Sequence, residues 1–237
     1  MSNPPLPTTE DAQTWLLGYS RWKYVLPLPN ETMMYHIGAP HVENFYVVAE
    51  AWAYVLSHYL QPHSHVLDMG CGCGRTARLL ALNPNVERFT GFDVILPYIQ
   101  WCNRFFGELF SERFRFYHLD VRSERYNPDG KLTCQTAHFP ADDREVDIAF
   151  AASLFTHLFP EDARAYLREL HRVLKDEGRA IISFHEEPQS GEAFSGNETR
   201  ADYETTHFSQ MVKNQGFEMV EDIGELCGQR TFVLKKG

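Results

Sequence analysis

The chain has 237 residues, room for one sizeable α/β domain with modest additions and too little for two independent catalytic domains. Hydrophobic residues make up 43% and charged residues 23%, an ordinary globular balance that argues against disorder away from the termini. A net charge of −10 disfavours a general nucleic-acid binder, whose phosphate ligand needs a basic surface, and no run of about 18 apolar residues marks a membrane span.

Residues 1–10 are rich in Pro and Thr. Residues 11–40 carry Trp15, Tyr19, Trp22, Tyr24 and Tyr35, broken by Pro27, Pro29 and Pro40, which suits short helices and loops packed on a larger body. Phe45, Val48, Trp52, Val55, Leu56 and Tyr59 fall at helical spacing, so 42–60 is predicted as a helix stopped by Pro62. Strands and helices then alternate. His65 to Asp68 is a first strand, Arg75 to Leu82 a helix, Phe89 to Val94 a second strand, Ile95 to Leu109 a helix, and Phe114 to Leu119 a third strand. Val146 to Ala151 is a fourth strand. Glu161 to Lys175 is an amphipathic helix closed by Gly178, Ala180 to Phe184 a fifth strand, and Tyr203 to Gln215 a last helix. Phe217 to Ile223 and Arg230 to Leu234, with no helix between them, predict a terminal antiparallel hairpin. The expected fold is α/β: a Rossmann-like, mainly parallel sheet of seven strands ending in that hairpin, with helices on both faces. Residues 1–60 would form an N-terminal helical cap or lid, and 61–237 the main domain.

Met1-Ser2-Asn3-Pro4-Pro5 lacks the basic flank and apolar run of a signal peptide. The odd set Cys71, Cys73, Cys102, Cys134 and Cys227 fits reduced thiols in the cytoplasm better than a disulfide framework. Eleven histidines form no H-E-x-x-H pair, and the cysteines give C-x-C inside a Gly turn, so no metal is expected. The outer faces of helices 42–60 and 161–175 offer surfaces on which two copies could pair.

The informative stretch is Asp68-Met69-Gly70-Cys71-Gly72-Cys73-Gly74, between the first strand and its helix. Glycines there permit positive φ and a close backbone approach to a ligand, and a following helix N-terminus would offer free amides. A dinucleotide fingerprint would need Gly at position 75, where Arg75 stands, and no Gly-Lys-Ser/Thr follows for a phosphate loop. The turn therefore suits a ligand with an amino-acid tail, whose ammonium Asp68 could help hold. About 20 residues past the turn the second strand ends in Asp93, placed to accept from ribose hydroxyls, and the third ends near Asp120. Each acid alone would read as a strand-end cap. Three at successive strand ends beside a Gly-rich turn read as a binding site, because ligands of open α/β sheets sit at the carboxyl ends of the strands.

With these residues the segment resembles motif I of the class I S-adenosylmethionine-dependent methyltransferases, over about residues 36–185. More narrowly the chain resembles a bacterial subgroup found among polysaccharide-biosynthesis enzymes, through His36-Ile37-Gly38, Trp101-Cys102, Tyr126-Asn127-Pro128-Asp129-Gly130 and Ser153-Leu154-Phe155-Thr156-His157-Leu158. The resemblance implies S-adenosyl-L-methionine as cofactor, held by Asp68, Gly70, Cys71, Gly72, Gly74, Asp93, Val94, Asp120, Val121 and Ser153. Asp120 would face the adenine amino group.

Methyl transfer is an in-line displacement at a carbon already activated by its sulfonium, so the protein supplies orientation, worth roughly 7–11 kcal/mol of barrier, and a base where the acceptor must lose a proton. His157, shortly after the fourth strand, is the candidate catalytic base, since an ordinary imidazole titrates near ~6.5; packing beside the cofactor is the plainer role. Tyr35 and His36 in the cap and His185 at the end of the fifth strand are candidate acceptor contacts. Trp15, Trp22, Tyr24 and Phe194 could line an apolar or sugar-like pocket, and the long connection 122–145 is expected to be a shaped loop near the acceptor. The expected activity is methylation of a small molecule or sugar at oxygen. The alternatives are another chemistry on the same nucleoside, or a non-catalytic binder acting as a sensor or partner subunit. Fold alone does not choose among them.

Overall fold

The computed structural model describes residues 26–110, 112–186 and 191–237. In chain order the elements are α1 (Glu31–His36), α2 (Val42–Ser57), β1 (Ser64–Met69), α3 (Ala77–Leu80), β2 (Val86–Asp93), α4 (Leu96–Phe110), β3 (Phe114–His118) and β4 (Val146–Ala151). A 3-10 turn at Phe155–His157 then leads to α5 (Pro160–Val173), β5 (Leu174–Glu186), β6 (Phe194–Asn197), β7 (Arg200–Tyr203), α6 (Thr205–Asn214), β8 (Phe217–Leu226) and β9 (Gln229–Lys236).

Every residue of β1 is buried, because parallel neighbours flank it, β2 on one side and β4 on the other. A strand covered on both faces needs consecutive apolar side chains, which Val66 and Leu67 supply. β3 continues the parallel sheet beyond β2, and β5 beyond β4. β9 runs antiparallel to residues 180–184 of β5 and carries β8 outside it.

Successive strand residues point to opposite faces, and the core divides accordingly. Val66, Phe89, Ile148, Phe150, Ile181 and Val233 pack with α2, α3 and α4. Leu67, Phe92, Ala149, Ala151, Ile182 and Leu234 pack with α5 and α6. On the first face Phe106 stacks on Phe114 with ring centres 5.6 Å apart, and Phe89 stacks on Phe114 at 4.8 Å. Each such buried ring is worth about 1.5–3 kcal/mol in transfer free energy. α2 lies in this helical layer, through Ala49, Trp52, Ala53 and Leu56.

The sheet has nine strands where seven are expected. The expected seven are all present, and the additional pair is the hairpin β6–β7, which joins the sheet where β7 pairs in parallel with His185 and Glu186 at the tip of β5. Its strands have four residues each and no apolar run, so periodicity does not reveal them. Two helix boundaries also shift. The first crossover helix is a single turn, Ala77–Leu80. α5 stops at Val173, because Leu174 is already extended and paired with Val146. Gly178 does not close that helix; it lies within β5, where an added Cβ would stand 2.8 Å from Leu174 Cγ. Among the described residues no helix is long and apolar enough to cross a membrane.

Candidate cofactor and acceptor site

The carboxyl ends of β1, β2, β4 and β5 share one sheet edge because these strands are parallel. A cavity of about 370 Å³ opens at that edge. Asp68, Gly70, Cys71 and Gly72 line it from the first turn, Asp93 and Val94 from the end of β2, and Val121 from beyond β3. Ser153 and His157 line it from the segment after β4, His185 from the end of β5, and His36 from the end of α1.

Three of the expected site residues stand elsewhere. Tyr35 is 65% exposed and does not line the cavity. The Asp120 carboxylate accepts from Asn127 Nδ2 at 3.1 Å, and its carbonyl accepts from the amides of Lys131 and Leu132, so it ties down the 122–132 loop. Gly74 serves packing: at φ +75° an added Cβ would stand 2.7 Å from Phe106 Cε2 and 3.2 Å from Cys102 Sγ. Phe194 packs on Tyr203 and Phe159. Trp15, Trp22 and Tyr24 lie outside the described residues.

The amides of Gly70, Cys71, Gly72 and Gly74 are engaged within the protein. Those of Gly70 and Cys71 donate to Phe92 O, that of Gly74 to Cys71 O, and that of Gly72 to Asp93 Oδ2 at 2.8 Å. Asp93 Oδ1 accepts from Ile95 N at 2.9 Å. One carboxylate thus joins the ends of two adjacent strands and sets the height of the turn. Gly70 and Gly72 hold φ of +74° and +53°, which a β-carbon disfavours.

Asp68 is 3% exposed, faces the cavity, and has no hydrogen-bond partner to its carboxylate among the described residues. Burial pushes its carboxyl well above the usual range, the neighbouring Asp93 charge adds to this, and Arg75 opposes it. Burial also raises Asp93, against the backbone amides that favour its ionised form. A cationic group entering beside Asp68 would relieve both the missing partner and the repulsion. Arg75 donates to Ile37 O at 3.3 Å and so clips α1's end to the turn.

His157 Nδ1 stands 2.9 Å from Glu198 O in the β6–β7 turn. A carbonyl only accepts, so Nδ1 carries the proton and Nε2 presents a lone pair, 3.3 Å from the Tyr126 hydroxyl. Burial lowers the His157 pKa, with Arg125 and His185 adding to the effect, so the ring is neutral at neutral pH. Ser153 holds φ +67°, a strained value for a serine. Its amide donates to Ser183 Oγ and its hydroxyl accepts from Gln229 Nε2 at 2.7 Å, which fixes the wall between β4 and β9.

The cavity also receives Arg75, Tyr98, Arg122, Arg125, Tyr126, Glu198 and Gln229, none of which stood out in the sequence as a site residue. Only Tyr126 carried a signal, its place in the turn sequence Tyr126-Asn127-Pro128-Asp129-Gly130. Among the described residues no group of three or more His, Cys, Asp or Glu is arranged to hold a metal ion.

Residues 67–182 match the Methyltransferase domain family. The matched segment of this chain is similar to a methyltransferase domain. The match begins in β1 and ends in β5, so it spans the Gly turn, Asp93 and His157. An uncharacterized methyltransferase, YcgJ of Bacillus subtilis (strain 168), is 30% identical over 125 residues, 52% of this chain; the match spans 42% of that protein's length. The 1,6-didemethyltoxoflavin-N1-methyltransferase of Burkholderia thailandensis, solved with its substrate and S-adenosylhomocysteine, shares the fold at a TM-score of 0.62 and 19% identity, covering 99% of this chain and 93% of its own. The [4+2]-cyclase SpnF does so at a TM-score of 0.58 and 16% identity, covering 95% and 78%. The chain therefore shares a fold that these two neighbours use with different reactants.

Proposed function

We propose that the chain methylates a small-molecule or sugar hydroxyl, with S-adenosylmethionine held by the Gly70–Gly72 turn and His157 accepting the proton. The observation that carries this reading is that the partnerless Asp68 and His157, whose Nδ1 proton is fixed on Glu198 O, line one cavity.

The residues present fit the cofactor. Asp68 holds the ammonium of its amino-acid tail, which supplies the missing partner. Asp93 uses one lone pair on each oxygen for Gly72 N and Ile95 N and keeps the others for ribose hydroxyls. Val94 and Val121 give the base apolar walls, and Cys71 and Ser153 complete the lining. When bound, S-adenosylmethionine supplies a methyl on a positively charged sulfur, which the acceptor oxygen displaces while the bonding pair returns to sulfur. His157 Nε2 receives the hydroxyl proton, and Glu198 O keeps the ring in the tautomer that can do so. His36 and His185, on the same cavity, contact the acceptor.

Calorimetric titration with S-adenosylmethionine and S-adenosylhomocysteine, followed by mass spectrometry of a small-metabolite extract incubated with the methyl donor, tests this. Saturable binding of both and a product heavier by one CH₂ is the expected result. Binding with no product would instead leave a sensor or partner subunit.

A further inference from the structure

Two arginines on the cavity wall, Arg122 and Arg125, have no part in the proton transfer just described. Among the described residues neither forms an ion pair, although the chain's net charge is −10. The Arg125 guanidinium lies over the Tyr126 ring, 5.1 Å from its centre. The two acids on this part of the lining already have donors. Glu198 Oε2 accepts from Ser123 Oγ at 2.6 Å and Arg125 N at 3.1 Å, and Asp162 Oδ1 accepts from Gln135 Nε2 at 2.9 Å. The Arg122 charge is felt at Glu198, yet neither carboxylate lies within ion-pair distance of Arg122 or Arg125, so both guanidiniums keep their donors for an anion.

We propose that the acceptor is itself an anion, a small hydroxyl compound bearing a carboxylate or phosphate group that Arg122 and Arg125 hold while its hydroxyl lies at His157. The proposal rests on the methyl-transfer reading and names the class of molecule that reading leaves open. A guanidinium offers paired donors in the spacing of a carboxylate or phosphate edge, so the two arginines orient as well as attract.

The proton transfer gives a second reason. When His157 takes the hydroxyl proton it becomes a cation close to Arg125 and His185, both of which already disfavour that charge. A neutral acceptor leaves this positive cluster without a new counter-ion. An anionic acceptor brings one at the step where it is needed, so the same group that binds the arginines also makes His157 a stronger base.

The test is equilibrium binding by calorimetry, with and without saturating S-adenosylhomocysteine. The probes are matched pairs, a hydroxybenzoate against its amide and a hexose phosphate against the free hexose. At least one anion is expected to bind about tenfold or more tightly than its neutral partner. The double variant Arg122→Gln/Arg125→Gln should erase that gap. Arg104→Gln/Arg168→Gln removes the same charge from exposed positions outside the cavity and should leave it intact. Equal or tighter binding of the neutral partners, a gap that survives in the cavity double variant, or no binding of either anion overturns the proposal. An intact anion gap in a protein that ignores S-adenosylhomocysteine would overturn the methyl-transfer reading and leave the anion site standing.

Discussion

Nδ1 of His157 lies 2.9 Å from the carbonyl oxygen of Glu198, a residue 41 positions away on the β6–β7 hairpin. That hairpin lies outside the seven strands expected from the sequence, yet it fixes which nitrogen of the ring carries the proton. The base and its orienting group thus come from different parts of the chain, and each can be tested separately.

Replacing His157 by Ala should lower kcat by about 100-fold or more for a hydroxyl acceptor while leaving donor affinity within about twofold. Because burial and Arg125 depress the His157 pKa, the neutral form persists below the usual ~6.5. The wild-type rate should therefore stay level as pH falls through 6.5, then decline with a single proton at a lower pH. Rate profiles of kcat at saturating donor and acceptor show this; a midpoint above 6.5 would contradict it.

Asp68 should trade stability against function. Its carboxyl titrates above the unfolded value of about 3.9, so the folded state holds the proton more tightly. Stability is then lost as pH rises from about 3.9 through the raised pKa. Asp68→Asn removes that loss, raising the melting temperature of the free protein by roughly 2–4 °C per kcal/mol recovered. The same variant should bind S-adenosylmethionine at least about tenfold more weakly. Thermal melts with and without donor read both effects.

Donor affinity of the wild type should also fall on acidification, at a higher pH than an ordinary carboxylate would dictate. Protonating Asp68 removes the charge that faces the ammonium, and its raised pKa moves that loss upward. Titrations in buffers of different ionisation enthalpy, across the acid range, should show proton release on binding.

Gly74→Ala and Gly72→Ala should part company. A β-carbon at 74 meets the Phe106 ring at 2.7 Å, within a stacked aromatic core, and should destabilise the fold by about 1–3 kcal/mol. A β-carbon at 72 meets only Ile37 Cγ2, at 3.3 Å, and narrows the cavity, so the main loss there should be donor affinity. Urea denaturation and donor titration of each variant separate the two.

These contrasts show where sequence reasoning reaches and where it stops. β1, β2 and β4 are legible because strands buried on both faces must be runs of apolar residues, and Asp93 because it ends such a run opposite a Gly turn. Asp120 carries the same strand-end signal but ties its own loop through Asn127, and a strand-end acid reads alike in both cases. Gly74 shares the turn with Gly70 and Gly72, yet its neighbour Phe106 is brought there by tertiary packing. Glu198 acts on His157 through a backbone carbonyl, and Gln229 reaches Ser153 from 76 positions away, so neither side chain's type nor its local pattern announces a role.

The account rests most heavily on the carboxylates beside the Gly turn, and titration of S-adenosylhomocysteine into the wild type and Asp93→Ala tests it most directly. Saturable binding at one site per chain, weakened at least about tenfold in the variant, is the predicted result. No binding by a folded wild type, or equal affinity in the two proteins, would contradict it.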